Sequence, residues 1–559
     1  MINARLSPDC FLSFAMAIEA LVDSSPKLQN DADAAGLCVL IVNAILATLG
    51  GNGREVVHMY FWAVAAMCRG NDRVITSCAR AGVPSVAVRA LASCSKMLAA
   101  EAALNVLSIF TSPLESAAVL NSSGMSLVHE SSFVPASGHT KQAVSALLTS
   151  DEAVSRLAAF SRAASKRGKY ENVQTALTIM LAAATADFDA TKSVLERTSV
   201  TGSIDTSPAA VASSSSGLVQ SCIASLMNDR FPELCTHFLA KLVPISVFAC
   251  DVLDRGGISV LLACFHSKCS ISMLNCSLSA LVVLATYNQK HFFVNLENMP
   301  WCEISVAIQA LLQKMKETRE NKRHRDFLAE AVRLLQILSS LPISFHFRTI
   351  SFMLSSQAIE IVLCCAISSH ACSDPERRGF ILSSLQFVLT LMDFDLSIKP
   401  DRDVKTAPCK QSAKPVADFR IDADDYQSAA SLVDVAPLIP DLLKLFASCI
   451  SGVLSASQFD TQGTTDVGEV LTSMNATNDE QRAITFCILK ILTFLVDNPL
   501  AADVTGAAGG VELLVKLFLF GEEEHKAAVL VVLRRLHSHN DMNRQILARL
   551  IGLLSSAQL

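Results

Sequence analysis

Val56-Val-His-Met-Tyr-Phe-Trp62-Ala-Val64-Ala-Ala66-Met67-Cys68 runs into Arg69-Gly70-Asn71-Asp72-Arg73, then into Val74-Ile75-Thr-Ser-Cys-Ala-Arg-Ala81-Gly82-Val83-Pro84. The first stretch is apolar at helical spacing. A polar break bearing glycine and asparagine ends it, and a second, shorter helical stretch follows. Gly82 suits the end of that short helix, because glycine adopts conformations that side chains resist. Pro84 suits the first turn of the next helix. Ser85 to Ala92 and Met97 to Phe110 then read as two further helices.

The order recurs. Val247-Phe-Ala-Cys-Asp-Val-Leu-Asp-Arg-Gly256-Gly257-Ile258 precedes a helix from Met273 to Ala285. Ile484 to Val496, Asp497-Asn498 and Val504-Thr-Gly-Ala-Ala-Gly509-Gly510-Val511 precede one from Glu522 to Leu536, which ends at His539-Asn540-Asp541. These residues resemble the armadillo-repeat family. Its pattern is a long helix, a turn carrying Asn, a short helix ending in Ala-Gly-Gly, and Ile-Pro-x-Leu-Val opening the next helix. The match is closest from Val56 to Leu91, good from Ile484 to Leu554 and weaker from Phe231 to Tyr287. Taking Gly82, Gly257 and Gly510 as phase markers, their separations fit about four and about six periods of roughly 40–47 residues.

The resemblance implies an all-α, right-handed alpha-solenoid of stacked armadillo-like repeats. Period-2 alternation is not sustained anywhere, so strands are not expected. Repeats are expected over residues 1–112, 141–197, 218–392 and 482–559, with a further helical stretch over 428–454. Four polar stretches are expected to be flexible loop insertions or linkers: 113–140, the Ser/Ala-rich 198–217, 393–427 and 455–481.

Apolar residues make up 51% of the 559 and charged residues 18%, with a mean hydropathy of +0.40, which raises the question of a membrane. Gly36 to Leu49 is short for a span and carries Asn43. Ile350 to Ala371 carries Gln357 and Glu360 near its middle. Both are read as buried helices, and no integral membrane segment is expected. A solenoid accounts for the composition, because each repeat buries its surface against its neighbours. The net charge of −6 gives no basic footprint for nucleic acid. The start, Met1-Ile-Asn-Ala-Arg5-Leu-Ser-Pro8-Asp9, does not read as a secretory leader. The 18 cysteines lie scattered on apolar stretches, as small hydrophobes in a reducing compartment do. A cytoplasmic location is expected, with nuclear, ciliary or cytoskeletal association left open.

No chemistry declares itself. Phosphate-loop, dinucleotide, Gly-x-Ser-x-Gly and His-Glu-x-x-His patterns are absent. Cys264-Phe-His266-Ser-Lys-Cys269 lacks a second pair at zinc spacing. His537-Ser-His539-Asn-Asp541 falls where the repeat needs a capped turn. Cys364-Cys365 and Cys372 read as core. The run Lys314-Met-Lys316-Glu-Thr-Arg319-Glu-Asn-Lys322-Arg323-His324-Arg325 is interrupted by acids and reads as a solvated helix, with a nuclear-localisation signal as the other reading. No catalytic residue, metal or cofactor is expected, and the chain is expected not to be an enzyme.

Armadillo proteins that carry basic nuclear-import peptides present Trp on the long helix and Asn four residues later. Here Trp62 is followed by Ala66, and later helices offer Ala102 with Val106, Ser279 with Val283, Lys490 with Phe494, and Val531 with Arg535. That ladder is absent. Trp62, Lys490 and Arg535 remain as candidate groove contacts, although Trp62 also reads as good core. The expected function is a protein-binding scaffold or adaptor that holds a segment of another protein along the solenoid groove. Regulation of a chaperone or GTPase nucleotide cycle, and nuclear transport, are the alternatives.

Overall fold

A computed structural model describes residues 13, 16–20, 22, 25–49, 56–93, 97–111, 138–201, 214–265, 269–319, 324–340, 343–368, 375–393, 436–459, 468–521, 523–539 and 541–557. Among them the secondary structure is helical, with no strand. The chain divides into two compact units, Met1–Cys264 with Ser272–Asn295, and Leu296–Leu559 with Phe265–Ile271.

In the first unit the helices come in threes: α1 (Pro26–Ala34), α2 (Leu37–Leu49) and α3 (Val57–Cys68); α4 (Asp72–Arg80), α5 (Val83–Ser93) and α6 (Met97–Thr111); α7 (Gly138–Leu148), α8 (Asp151–Lys166) and α9 (Tyr170–Ala186); α10 (Phe188–Thr201), α11 (Ser214–Met227) and α12 (Pro232–Leu242); α13 (Ser246–Asp254), α14 (Gly257–Ala263) and α15 (Ile271–Tyr287). Each kind of helix packs on its own kind. The first helices α1, α4, α7, α10 and α13 touch in series, as do the second helices α2, α5, α8, α11 and α14. The third helices α3, α6, α9 and α12 do the same. The molecule is a helical repeat protein.

After α16 (Gln289–Glu297), which lies at the division, the second unit holds α17 (Trp301–Thr318) and α18 (Arg325–Ser339), then α19 (Ile343–Ser355), α20 (Ala358–Ser368) and α21 (Pro375–Met392). It continues with a 3-10 turn at Ala436–Leu438, α22 (Ile439–Phe459) and α23 (Gly468–Leu495), then α24 (Pro499–Ala507), α25 (Gly510–Phe520), α26 (Glu523–His539) and α27 (Asp541–Ala557). The series α17–α20–α22–α25 and α18–α21–α23–α26 repeat the same packing.

One turn recurs between the first and second helix of a repeat. Gly36 (φ +77°), Gly82 (+89°), Gly256 (+72°), Gln357 (+60°) and Gly509 (+80°) are all left-handed. In each case the amide donates to the carbonyl three residues back: Asp33, Ala79, Leu253, Leu354 and Gly506. The two Gly-Gly pairs divide the work. Gly256 and Gly509 supply the left-handed turn. Gly257 and Gly510, the residues chosen from sequence as phase markers, supply clearance. A Cβ on Gly257 would lie 2.8 Å from the Val252 carbonyl oxygen, and one on Gly510 would lie 2.7 Å from that of Thr505. Three and four three-helix groups separate the turns at Gly82, Gly256 and Gly509, against the four and six expected from spacing. Long helices such as α23 and the chain outside the described residues take up the difference.

The asparagine turns also recur. Asn71 Oδ1 accepts from the Val74 amide at 3.3 Å and caps α4. Its Nδ2 donates to Gln29 Oε1 at 3.1 Å and Asn30 Oδ1 at 3.2 Å on α1. Gln29 is fully buried and donates to the carbonyls of Ala66 and Arg69, two acceptors that the end of α3 leaves open. Asn498 caps α24 through the Leu500 amide at 2.9 Å. Asn543 on α27 donates to the Ala502 carbonyl at 3.1 Å, across a gap that only Gly506 leaves clear.

No single helix among the described residues is long and apolar enough to cross a membrane. The stretch Ile350 to Ala371 is broken at Gln357, with its two helices bent by 64°. The polar stretch 455–481, expected as a loop, is helical over 455–459 and 468–481. Beyond Gly468 it has no proline or glycine to stop a helix, so polarity alone misleads there. The expected linker 198–217 is likewise helical at both ends, up to Thr201 and from Ser214, and α7 begins at Gly138 inside the expected insertion. The remaining parts of those loops, 113–137, 202–213, 394–427 and 460–467, lie outside the described residues, as do 112 and residues 428–435 of the expected helical stretch 428–454.

Two predictions follow from turn and burial. Gln357→Gly should stabilise the second unit by about 1 kcal/mol, since a non-glycine residue in the left-handed region carries a steric penalty. Gly510→Val should destabilise it by about 1–3 kcal/mol through overpacking. Denaturant titration reads both, and the same sign for the two would contradict the geometry. His139 is 8% exposed, and burial holds its imidazole below the ordinary value while the Asp72 charge pulls upward. The unfolded chain therefore takes up this proton first as pH falls. Stability from this site is present at neutral pH and is lost as pH drops through the unfolded value near about 6.5. Thermal melts from pH ~7.5 to ~5.5 should show a smaller fall for His139→Gln than for the parent chain.

Candidate protein-binding surface

Each third helix buries one side against its own repeat and the third helices beside it. The remaining side is open. On α3 the positions Phe61, Val64 and Met67 are fully buried, and Trp62 falls on the opposite side at 36% exposure. Its indole meets the His58 ring edge-on, with centroids 5.0 Å apart. Trp62 is thus a surface residue held by a neighbour on its own helix, and the core reading of it is set aside. Ala66, which stands at the family's Asn place, is buried.

On α6 the open positions are Leu98, at 56% exposure, and Asn105, while Ala102 and Val106 are buried. Ala102 and Val106 are the positions compared with the family ladder, and Asn105, one step off in sequence, is the exposed one. On α12, His237 Nδ1 lies 2.8 Å from the Glu233 carbonyl, and its Nε2 lies 3.4 Å from Ser272 Oγ at the start of α15. Ser279 and Val283 on α15 are half-buried. Glu101 of α6 lies 3.9 Å from Lys169, just before α9. The Arg230 guanidinium sits 5.8 Å from the Tyr170 ring. This face offers apolar shelves, an amide that both donates and accepts, and a mixed-charge rim.

The other two candidates lie in the second unit. Lys490 on α23 is exposed, with its ammonium 4.7 Å from the Phe486 ring one turn back. That arrangement holds a cation over an aromatic face while leaving it reachable. Arg535 is engaged differently. Its Nη1 donates to the Thr493 carbonyl at 2.7 Å and pairs with Asp497. It fastens α26 to the end of α23, where carbonyls lack intrahelical partners. Sequence spacing could not reveal this, because both partners lie about forty residues upstream.

The other clusters are placed as follows. Cys264 is buried and Cys269 half-buried, while His266 lies outside the described residues. Cys365 is buried and its thiol is pushed up to about 12 by desolvation. Cys372 lies outside the described residues, as does Asn540. In the basic run, Lys314 pairs with Glu317 at 3.1 Å, and 320–323 lie outside the description. Among the described residues no group of His, Cys, Asp or Glu is arranged to hold a metal ion.

No family model matches the chain, and no curated protein matches it. Among solved structures it is similar to two engineered proteins. One is 15% identical with a TM-score of 0.47, covering 96% of this chain and 97% of that one. The other is 15% identical with a TM-score of 0.32, covering 58% and 97%. A third is a structure from a study of a phosphorylation switch in the interaction between cadherin and beta-catenin, 13% identical with a TM-score of 0.38, covering 89% and 91%. At these scores the likenesses carry no argument, and the repeat fold rests on the helix packing itself.

The placement of Trp62 is testable by contrast with its neighbour. Trp62→Ala should cost about 1 kcal/mol or less, whereas Phe61→Ala should cost about 3–5 kcal/mol as a fully buried aromatic does. Equal losses in denaturant titrations would return Trp62 to the core.

Proposed function

We propose that this protein is a non-catalytic, armadillo-like scaffold that holds a segment of a partner protein along the open side of its third helices. The observation that carries the reading is Trp62, kept 36% exposed on a long helix whose own core positions are filled by Phe61, Val64 and Met67. An indole on a rigid helix supplies contact area with little ordering cost. Exposed Asn105 on the next third helix adds an amide suited to an extended backbone. Stacked repeats supply such positions in series on a preformed surface. A cytoplasmic location is part of the proposal, as a compartment where buried thiols such as Cys235 and Cys487 stay reduced.

Photo-crosslinking in cells tests the reading with the full chain. A photoreactive phenylalanine analogue is placed at position 62, at 105, or at 80, where Arg80 is exposed on the first helix α4. One protein captured from positions 62 and 105 and not from 80 is the expected outcome. Capture equally from all three positions, or from none, would sink the proposal.

A further inference from the structure

Gln29, Asn30 and Asn71 tie α1 to α4, and a pair of sulfurs lies at the same junction between the first two repeats. Cys38 is on α2, the second helix of its repeat, and Cys78 is on α4, the first helix of the following one. Both are buried, at 2% and 0% exposure. Their sulfurs approach to 2.8 Å, a separation that falls toward the covalent S–S length of about 2.05 Å. Each cysteine sits on a helix, and the asparagine–glutamine node fixes the junction, so the approach is set by backbone rather than by flexible loops. The two residues are 40 apart in sequence. Cys68, at the end of α3, adjoins Cys78, and Asp33 Oδ1 lies 3.4 Å from the Cys38 sulfur.

We propose that Cys38 and Cys78 form a reversible disulfide when the chain meets a hydroperoxide, joining the first repeat covalently to the second. One thiolate attacks the peroxide's terminal oxygen, breaking the O–O bond to give a sulfenic acid, and the leaving oxygen takes up the proton the thiol gave up, departing as an alcohol, or as water when the oxidant is hydrogen peroxide. The second sulfur then displaces the sulfenic hydroxyl, leaving as water, and the S–S bond forms. Two thiols are oxidised by two electrons in all, and one hydroperoxide is reduced. A dithiol reverses the step.

The closed state resists the first half of this reaction. The Cys38 thiol is pushed above its ordinary range by its bond to Cys78 and by burial. For Cys78 the bond from Cys38 works downward, and the Cys68 thiol and burial outweigh it. Oxidation therefore proceeds from local openings that bring one of the two buried sulfurs within reach of the peroxide. Reclosure then brings the second sulfur into place. Once formed, the disulfide suppresses those openings.

The experiment treats the full chain with hydrogen peroxide, blocks remaining thiols and maps peptides without reduction. A peptide pair linking Cys38 to Cys78 is expected, lost in Cys38→Ala and in Cys78→Ala and kept in Cys68→Ala. The oxidised chain should melt about 5 °C higher than the same sample after dithiothreitol. Circular dichroism checks that each variant is folded, and Cys38→Ser with Cys78→Ser replaces any alanine variant that is not. No such linked pair, a pair that instead joins Cys68, or a melt unchanged by dithiothreitol would overturn the proposal.

Discussion

Five of the short first helices reverse into the second helix through one residue at positive φ, and much of this molecule's stacking hangs on that turn, although α7 passes to α8 through Thr149 and Ser150 without one. At Gly36, Gly82, Gly256, Gln357 and Gly509 the same amide-to-carbonyl bond closes the first helix. The following helix then starts at a similar angle, 70° between α1 and α2 and 64° across Gln357. Since the bend is local, it can be repeated independently along the chain. Where it recurs it sets the second helix on the first in the same way, and first helices meet first helices while third helices meet third helices. Glycine holds the position at little cost, and Gln357 shows that a side chain can be forced there when packing demands it.

Close stacking places a second demand on small residues. Gly217 on α11 sits where a Cβ would come 2.9 Å from the Ala158 carbonyl on α8, and Gly506 makes room for Asn543. At these points backbones approach more closely than side chains permit, so dispersion contacts there are made backbone to backbone. The high apolar content follows directly. A helix with neighbours before, after and beside it leaves only one strip to water, so Phe61, Phe110 and Phe238 in the first unit and Phe327, Phe387 and Phe446 in the second are all fully buried. Gln29 enters this interior where the end of α3 leaves carbonyls open, and Arg535 meets the Thr493 carbonyl in the same way from a half-buried position.

The helices, the Gly-bearing turns and the Asn caps were legible because each has a local chemical cause that a single stretch displays. Gln357 was not, since nothing in a glutamine announces a left-handed backbone; only the packing of α19 and α20 selects it. The open face of α6 was not legible for a related reason. Met97-Leu-Ala-Ala-Glu-Ala-Ala-Leu is so rich in alanine that its period does not decide which side is buried, and Asn105 marks the open side only once α3 is in place. Polarity misled over 468–481, where a helix forms without an apolar run to signal it. Arg535 could be flagged as a charge at a groove position, but its bonds to Thr493 and Asp497 depend on how one repeat lies against the next.

Exposure alone would not distinguish Trp62, because single apolar side chains on a surface are ordinary. What distinguishes it is the helix it occupies. Met227 is more exposed, at 74%, but it sits at the end of a second helix, next to the left-handed Asp229 and Phe231 that turn the chain into α12. Trp62 lies mid-helix on α3, one turn from His58, on a backbone pinned at its far end by Gln29 and Asn71. A large, stiff side chain on a stiff support loses little freedom when something docks on it, so contact area there converts to affinity more fully than on a loop. Lys490 meets the same criterion in the second unit, being mid-helix and braced over Phe486. Arg535, with its guanidinium bonded to Thr493 and Asp497, would have to give up those bonds to recognise anything else, which makes it a fastener of the repeat more than a reader of a partner.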